Sequence, residues 1–324
     1  MIRINNSKVI ELGRLLKEKK IKFKVLPGIE GAKTLKEARE RLTFLFYVDA
    51  ICHQTQNFSG IINGVFKRGW DFLLSSFLEE TKRDPEFISV KRMMKIKGSD
   101  LKRIFKGSGD RYYERAYLLR NAARILKRDF SSDVMKINEI SEGFIKREDG
   151  LGMIDLFHRF KAYSDPLSKK TFLFLNIAKK VGFWEIKDEE NLWTPVDYHL
   201  ERVSLRVGIV DVESPLKRKL LEGRKVFLTE DLRLRKMVGD AVKKVSEISG
   251  IPIEKLDQFF WSLGRSLCLK SGAECEGTDD ERCTLTLITG ISCKNRCILS
   301  DVCLGYKDEE RRRFKESNVF TIYY

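Results

Sequence analysis

The amino-acid sequence predicts a mainly α-helical fold. Apolar residues recur every three or four positions over much of the chain, which is the spacing of one helix face. Only six prolines are present, and Pro166, Pro195 and Pro252 stand at or just before predicted helix starts, where proline is tolerated. Strand patterns are confined to Lys22–Leu26 and Phe320–Tyr324. Helices therefore account for most of the predicted structure.

Six segments carry the helical pattern most clearly. The first places Leu42, Leu45 and Phe46 at helical spacing, and the second mixes apolar with basic positions. A charged run at Lys307–Lys315 is typical of a solvated helix. In chain order, the predicted helices cover residues 35–56, 112–126, 167–181, 196–207, 231–249 and 253–267.

The composition favours a folded protein with a polyanionic partner. The 324 residues suffice for one large or two small domains, and 42% of them are hydrophobic, which excludes global disorder. Lysine and arginine number 62 against 47 acidic residues, a net charge of +15. Such an excess indicates nucleic acid ahead of an anionic membrane surface. The alternative is the solvated Lys/Glu surface of a heat-adapted protein.

The sequence predicts a cytoplasmic protein without a membrane partner. Met1–Asn6 lacks the apolar core of a signal peptide, and no run approaches the roughly 18 apolar residues of a membrane span. Thiols stay reduced in the cytoplasm, so the seven cysteines do not suggest a disulfide set. Six of them lie between Cys268 and Cys303, which indicates a metal or cluster site.

A cysteine-rich segment follows the last predicted helix. Cys293, Cys297 and Cys303 lie close together, and Cys268 at the end of the helix supplies a fourth thiol. Iron–sulfur clusters are held by four thiolates of this kind, whereas zinc is the rival metal because tetrahedral thiolate sites tolerate similar spacings. The expected ligands are Cys268, Cys293, Cys297 and Cys303.

This segment resembles the iron–sulfur loop of endonuclease III-like DNA glycosylases. That family carries Cys-x6-Cys-x2-Cys-x5-Cys after Gly-Arg-x-x, and Gly264–Cys268 and Cys297–Cys303 match its two ends. The chain departs from it in a middle pair spaced by three residues and in a long insert. Because Cys268-x6-Cys275 also fits the first gap, Cys275 or Cys283 remain alternative ligands. The resemblance implies a [4Fe-4S] cluster that serves as a structural and DNA-docking element.

Two further segments resemble the helix-hairpin-helix DNA glycosylase superfamily. Ser168–Phe174 is similar to its lysine-bearing helix, and Thr194–Val203 to its Pro-Val-Asp-x-x-x-x-Arg segment. The resemblance implies that Lys170 is the Schiff-base nucleophile, with Lys169 as a competitor. It also implies that Asp197 caps its helix, stabilises charge on the sugar and moves a proton. A lysine desolvated in a cleft is suited to this chemistry because the amine must be neutral part of the time.

Other motifs are similar to those of archaeal 8-oxoguanine DNA glycosylase. Pro195–Tyr198 and Gly250–Arg265 resemble sequence motifs of that family, and Val48–Gln56 resembles the helix that carries a pocket glutamine in these enzymes. A flipped base is held by such polar and aromatic side chains. The expected base-pocket residues are Gln54, Asp257 and Trp261.

The same resemblance implies a duplex partner. Gly107–Ala116 is similar to the Gly-Tyr-Arg-Ala turn and helix of the superfamily, whose arginines can reach phosphates. The expected partner is double-stranded DNA containing a damaged base, bound by a monomer. The expected DNA contacts are Arg111, Arg115, Lys169 and Arg202.

The resemblance implies a two-lobed helix-hairpin-helix DNA glycosylase-like fold with a C-terminal cysteine cluster loop. The expected function is a DNA N-glycosylase and AP lyase of base excision repair, with 8-oxoguanine the favoured lesion. Alternatives are an N-glycosidase acting on a modified nucleoside or nucleotide, of the queuosine-salvage type, and a non-catalytic DNA-binding relative. The expected divisions are a barrel lobe at 40–165, a lobe of 1–39 with 166–267 carrying the catalytic pair, an iron–sulfur loop at 268–307 and a tail at 308–324.

Overall fold

The chain is built mainly from α-helices, as the sequence predicts. The computed structural model describes residues 1–24, 31–279 and 283–324. No helix within these ranges has the length and apolar character needed to cross a membrane. The strands are β1 Ile2–Ile4, β2 Ser59–Ile62, β3 Val65–Arg68 and β4 Val210–Val212. The helices are α1 Asn6–Lys19, α2 Leu35–Ala50, α3 Trp70–Arg83, α4 Val90–Met93, α5 Gly98–Ile104, α6 Tyr112–Asp129, α7 Met135–Ile140, α8 Met153–His158, α9 Lys169–Val181, α10 Tyr198–Val207, α11 Leu216–Glu222, α12 Leu228–Ser249, α13 Ile253–Ser266, α14 Thr284–Thr289, α15 Leu304–Lys307 and α16 Glu309–Arg312.

All six predicted helices are present, and most of their ends differ by only one to three residues. The exception is α2, which ends at Ala50: its C-cap Ile51 has left the helical region with φ −115° and ψ 12°, and Gln54 further on takes up a left-handed conformation with φ 44°. The strand predictions were wrong wherever they can be examined. Phe320–Tyr324 is irregular, as are residues 22–24, while Val25 and Leu26 lie outside the described residues.

The chain divides into two compact units. Unit 1 comprises Met1–Gly28 and Trp193–Phe320, and unit 2 comprises Ile29–Leu192 and Thr321–Tyr324. This division differs from the expected boundaries, which grouped the lysine-bearing helix with the Asp197 segment. In the structure α9 belongs to unit 2 because it packs along α2.

Unit 1 is a helical bundle with one short sheet. Strands β1 and β4 pair antiparallel, with Ile2 opposite Val212. Helix α1 packs along α12, and α10 along α13, around a core of aliphatic and phenylalanine side chains. One packing contact is unusually close: a Cβ atom added at Gly239 of α12 would lie 1.9 Å from the Trp193 ring. Glycine is required there because the indole occupies the space of a side chain.

Unit 2 is organised around an aromatic core. The rings of Phe46 and Tyr163 stack with centroids 5.1 Å apart, and Phe157 and Phe174 pack beside them. Aromatic pairs of this kind contribute attraction beyond the burial of their area. Strands β2 and β3 form an antiparallel hairpin in the same unit. This core holds α2 against α9, the two helices that carry the basic and acidic groups described below.

Candidate active site and cysteine centre

Helix α9 begins at an unusual turn in unit 2. Ser168 precedes it in a left-handed conformation, φ 53°, and its hydroxyl lies 2.8 Å from the His158 ring nitrogen Nε2. The buried carboxylate of Asp165 accepts hydrogen bonds from the backbone N–H of Leu167 at 3.1 Å and of Lys169 at 2.9 Å. Asp165 thereby satisfies donors that a helix start leaves unpaired. The turn fixes the two lysines that follow it.

Lys170 is completely buried in the first turn of α9. Its Nζ donates hydrogen bonds to the carbonyl oxygens of Ala50 and Ile322, each at 2.8 Å. Burial lowers the pKa of the Lys170 ammonium to about 8, and the positive charges of Lys169 and Arg115 act in the same direction. An amine in this environment is neutral for an appreciable fraction of the time near physiological pH.

Lys169 also points into the protein. It is 7% exposed, and its Nζ lies 3.8 Å from the Sγ of Cys52. A phosphate-binding lysine needs its ammonium at the surface, so the expected DNA contact at Lys169 does not fit this position. Its charge acts instead on Lys170, whose pKa it lowers.

A four-residue segment, 321–324, packs against the predicted site residues of unit 2. The carbonyl oxygen of Thr321 accepts from the Arg111 guanidinium at 2.8 Å, and that of Tyr324 accepts from the backbone N–H of Gln54 at 2.8 Å. Arg111 also donates to the side-chain oxygen of Gln54 at 2.6 Å. With Ile322 bound to Lys170, the segment links Lys170, Arg111 and Gln54 into one hydrogen-bonded group. The sequence did not predict these hydrogen bonds, because the pattern of the same residues is typical of a strand.

Two of the expected DNA contacts are buried structural arginines. The Arg115 guanidinium donates to the carbonyl oxygens of Ile51 and His53, the latter at 2.9 Å, and is fully buried. Arg202 in unit 1 is 2% exposed and donates to the carbonyl oxygen of Cys268 at 2.9 Å. Because both side chains are committed to protein carbonyls away from solvent, direct phosphate contacts at Arg115 and Arg202 do not fit the structure.

A buried acid that sequence reasoning missed lies in the last turn of α2. Asp49 is fully buried, and neither carboxyl oxygen has a hydrogen-bond partner within the described residues. Burial raises its pKa to about 8, although the ammonium groups of Lys169 and Lys170 lower it in part. A carboxyl inside an otherwise apolar helix segment was the signal available in the sequence.

Asp197 in unit 1 caps α10, as the sequence predicts. Its Oδ1 accepts from the backbone N–H of His199 at 2.7 Å and of Leu200 at 3.0 Å. Pro195 precedes the cap and favours an extended approach to the helix. Asp197 is half-buried, and both cap hydrogen bonds are made to Oδ1.

Asp257 and Trp261 lie four residues apart on α13 and so share one face of that helix in unit 1. The carboxylate of Asp257 accepts from the Thr194 hydroxyl at 3.1 Å. The guanidinium of Arg265 lies 4.6 Å from the Trp261 ring centroid, a cation–π contact. Both side chains are half-buried, which leaves part of each accessible.

Four cysteines of unit 1 line a single cavity. They are free thiols, and the cavity between them has a volume of about 30 Å³ and opens in part to solvent. The expected ligand Cys293 is not among them: it pairs with Cys283, with Cα atoms 6.2 Å apart, a separation typical of a disulfide. Cys275 occupies the fourth position instead, the alternative left open by the Cys268-x6-Cys275 spacing. The lining cysteines are Cys268, Cys275, Cys297 and Cys303.

The chemistry of this cavity suits a soft metal centre. Leu263, Leu267 and Leu299 contribute apolar walls, and the Arg206 guanidinium donates to the Sγ of Cys268 at 3.4 Å. Burial raises the pKa of the Cys297 thiol to about 12, and a bound cation would favour the thiolate. In the described conformation no three His, Cys, Asp or Glu side chains within residues 1–24, 31–279 and 283–324 are already arranged as metal ligands.

The comparisons with protein-family models and with curated proteins find no match for this chain. The functional assignment therefore depends on the residues and on the geometry of each unit. Unit 2 brings together Lys170, Gln54 and Arg111, whereas Asp197, Asp257 and Trp261 belong to unit 1.

Proposed function

We propose that this protein is a DNA N-glycosylase with AP-lyase activity, built on a two-lobed helix-hairpin-helix glycosylase-like fold. The observation that carries the proposal is Lys170, an amine that is completely buried and whose pKa is lowered to about 8. A structural lysine is ordinarily exposed and charged, because burying an ammonium is costly. Its burial is explained if Lys170 acts as a nucleophile.

In the proposed reaction, the neutral amine of Lys170 attacks C1′ of the deoxyribose. The C1′–N bond to the damaged base breaks, and its electron pair leaves with the base, which takes up a proton. Ring opening then leaves a Schiff base between the lysine and the sugar. Asp197 stabilises the positive charge that develops on the sugar and moves the proton that the attacking nitrogen loses.

The base to be removed is turned out of the duplex before the reaction. Gln54, Asp257 and Trp261 are the proposed pocket residues, since an amide, a carboxylate and an indole recognise a base by hydrogen bonding and stacking. An oxidised purine, 8-oxoguanine, is the favoured lesion. Its added N–H at position 7 is a donor that a carboxylate or amide oxygen accepts.

A [4Fe-4S] cluster is the proposed cofactor, with zinc as the rival, and its ligands are Cys268, Cys275, Cys297 and Cys303. All four thiols line the apolar cavity described above, which supports this set over one that includes Cys293. Such a cluster supplies a cross-link that folds the loop around it and takes no part in base removal. The four chain positions it joins span residues 268–303.

The proposed partner is double-stranded DNA containing the damaged base. The net charge of +15 supports a polyanion, and Arg111 is the least buried of the four expected DNA contacts, with 12% of its side chain exposed. Binding to such a partner weakens steeply with salt because counterions are released from the phosphates. Affinity for duplex DNA that is flat between 50 and 500 mM salt would count against the proposed partner.

The function is tested by measuring free base released from duplexes that carry 8-oxoguanine, thymine glycol or uracil. The wild-type protein is expected to release one lesion and nick the strand, while Lys170→Gln does neither. Lys179→Gln is the matched control, because Lys179 lies on the same helix but is one-third exposed. Base release that persists in Lys170→Gln would indicate a hydrolase, and DNA binding without release a non-catalytic relative.

A further inference from the structure

Asp49 has no structural task that explains its burial. The other buried carboxyls among the described residues of unit 2 do have one. Asp165 caps α9, Glu80 accepts from the guanidinium groups of Arg83 and Arg103, and Asp188 accepts from the backbone N–H of Ile145 at 2.7 Å and of Lys146 at 3.1 Å. Both oxygens of Asp49 are without a hydrogen bond in the part of the chain that the structure describes. A buried carboxyl without a partner destabilises a fold, so its presence calls for another reason.

The surroundings of Asp49 supply that reason. Asp49 precedes Ala50, whose carbonyl oxygen accepts a hydrogen bond from the Lys170 Nζ at 2.8 Å. The ammonium groups of Lys169 and Lys170 are both close enough to lower the pKa of Asp49. The two phenols nearby, Tyr47 and Tyr163, stay neutral because burial raises the pKa of each. The charges that act on Asp49 are therefore the two lysines.

We propose that Asp49 is the positioning residue that takes the proton of the Lys170 ammonium, which makes the amine neutral before it attacks the sugar. This inference rests on the proposed function and deepens it. An Nζ–H bond of Lys170 breaks with its electron pair remaining on nitrogen, and the proton bonds to a carboxylate oxygen of Asp49. No direct hydrogen bond joins the two groups in the described conformation, so the proposed transfer requires a side-chain rotation or a bridging water.

Burial favours this transfer. Before it, the site holds an ammonium and a carboxylate in an interior from which water is excluded. After it, the site holds a neutral amine and a neutral acid, whose desolvation costs far less. The carbonyl oxygens of Ala50 and Ile322 remain acceptors for the N–H groups of the neutral amine, so Nζ stays in place. Burial raises the pKa of Asp49 and lowers that of Lys170, so the two values move toward each other, which favours transfer of the proton from the amine to the carboxylate.

The kinetic test compares Asp49→Asn with the wild-type protein in the single-turnover formation of a reducible adduct on abasic DNA. Loss of the acceptor is expected to slow adduct formation about 100-fold at pH 7.5, the size of a general acid–base contribution, without changing the dissociation constant for DNA. Asp188→Asn is the matched control, since it removes a buried carboxyl whose role is structural. Equal rates in Asp49→Asn and the wild type would overturn the inference while leaving the proposed function standing.

A second measurement needs no substrate. Infrared difference spectra of the full-length protein record the protonated carboxyl of Asp49 as a band that is absent from Asp49→Asn. In Lys170→Met that band is expected to persist to a higher pH than in the wild type, because the ammonium that favours the carboxylate is gone. A band that titrates at the same pH in both proteins would overturn the inference. Absence of an adduct in the wild type would refute the proposed function alone, and the spectra would still decide whether the two groups share a proton.

Discussion

The reactivity of Lys170 is expected to depend on pH in a way that reports its burial. Only the neutral amine attacks a sugar, so the rate of adduct formation follows the deprotonated fraction. With the pKa lowered to about 8, about 10% of the amine is neutral at pH 7, against about 0.03% for an exposed lysine. Burial thus raises the reactive fraction about 300-fold at that pH.

The corresponding profile is steep below pH 8. Since the pKa is about 8, the neutral fraction rises from about 1% at pH 6 to about 50% at pH 8 and levels off above it. Because the pKa of Lys170 is lowered, its amine loses the proton at a lower pH than an ordinary lysine does. The reaction rate therefore rises with pH below the range in which an ordinary lysine titrates. We expect an increase of about 50-fold in rate between these two pH values.

The assay is single-turnover reduction of the adduct on an abasic duplex with cyanoborohydride, from pH 6 to pH 9.5. DNA at saturating concentration removes any effect of pH on binding. Lys179→Gln should give the wild-type profile, because that lysine lies nine residues further along the helix and is one-third exposed. A rate that still rises tenfold per unit at pH 9.5, as an unperturbed lysine requires, or one that does not vary with pH, would refute the reasoning.

Three further predictions concern the scaffold. Cys275→Ala should lose the bound iron and acid-labile sulfide of anaerobically purified protein, whereas Cys293→Ala should retain both; the reverse result would restore Cys293 as the ligand. Gly239→Ala should lower the free energy of unfolding, measured by denaturant titration, by about 3 kcal/mol, because its Cβ would lie 1.9 Å from the Trp193 ring. The control Gly272→Ala, whose Cβ meets open space, should leave the free energy of unfolding unchanged. Asp49→Asn should become more stable relative to the wild type as pH rises from 4 to 8, because the carboxyl ionises near pH 4 in the unfolded chain but only at about 8 when buried. Melting temperatures of the two proteins that stay parallel across that range would contradict the burial of Asp49.

The helices could be predicted because their signals are local. Apolar spacing and the cap at Asp197 depend on residues within one or two turns, and Asp197 accepts backbone N–H groups in the structure as predicted. The end of α2 and the irregular course of 321–324 could not be predicted in this way. The carbonyl oxygens of this segment accept hydrogen bonds from Lys170, Arg111 and Gln54, which lie more than 150 positions away in sequence.

The candidate site also has features that local sequence signals could predict and features that they could not. The resemblance of motifs led to the prediction that Lys170 and Asp197 are catalytic, which stays a prediction; the structure shows that Lys170 is completely buried. Spacing alone could not show that Arg115 and Arg202 are buried, because their partners are backbone carbonyls brought together by folding. The choice between Cys275 and Cys293 likewise depends on how the long insert folds, which pairs Cys283 with Cys293 and leaves Cys275 facing the cavity.

The central claim, that Lys170 is the nucleophile of a DNA glycosylase, is tested most directly by borohydride trapping followed by peptide mapping. The protein is mixed with duplexes that carry 8-oxoguanine, other damaged bases or an abasic site, then reduced and digested. We predict one covalent adduct, located at Lys170 and absent from Lys170→Gln. An adduct at Lys169, or none on any duplex, would contradict it.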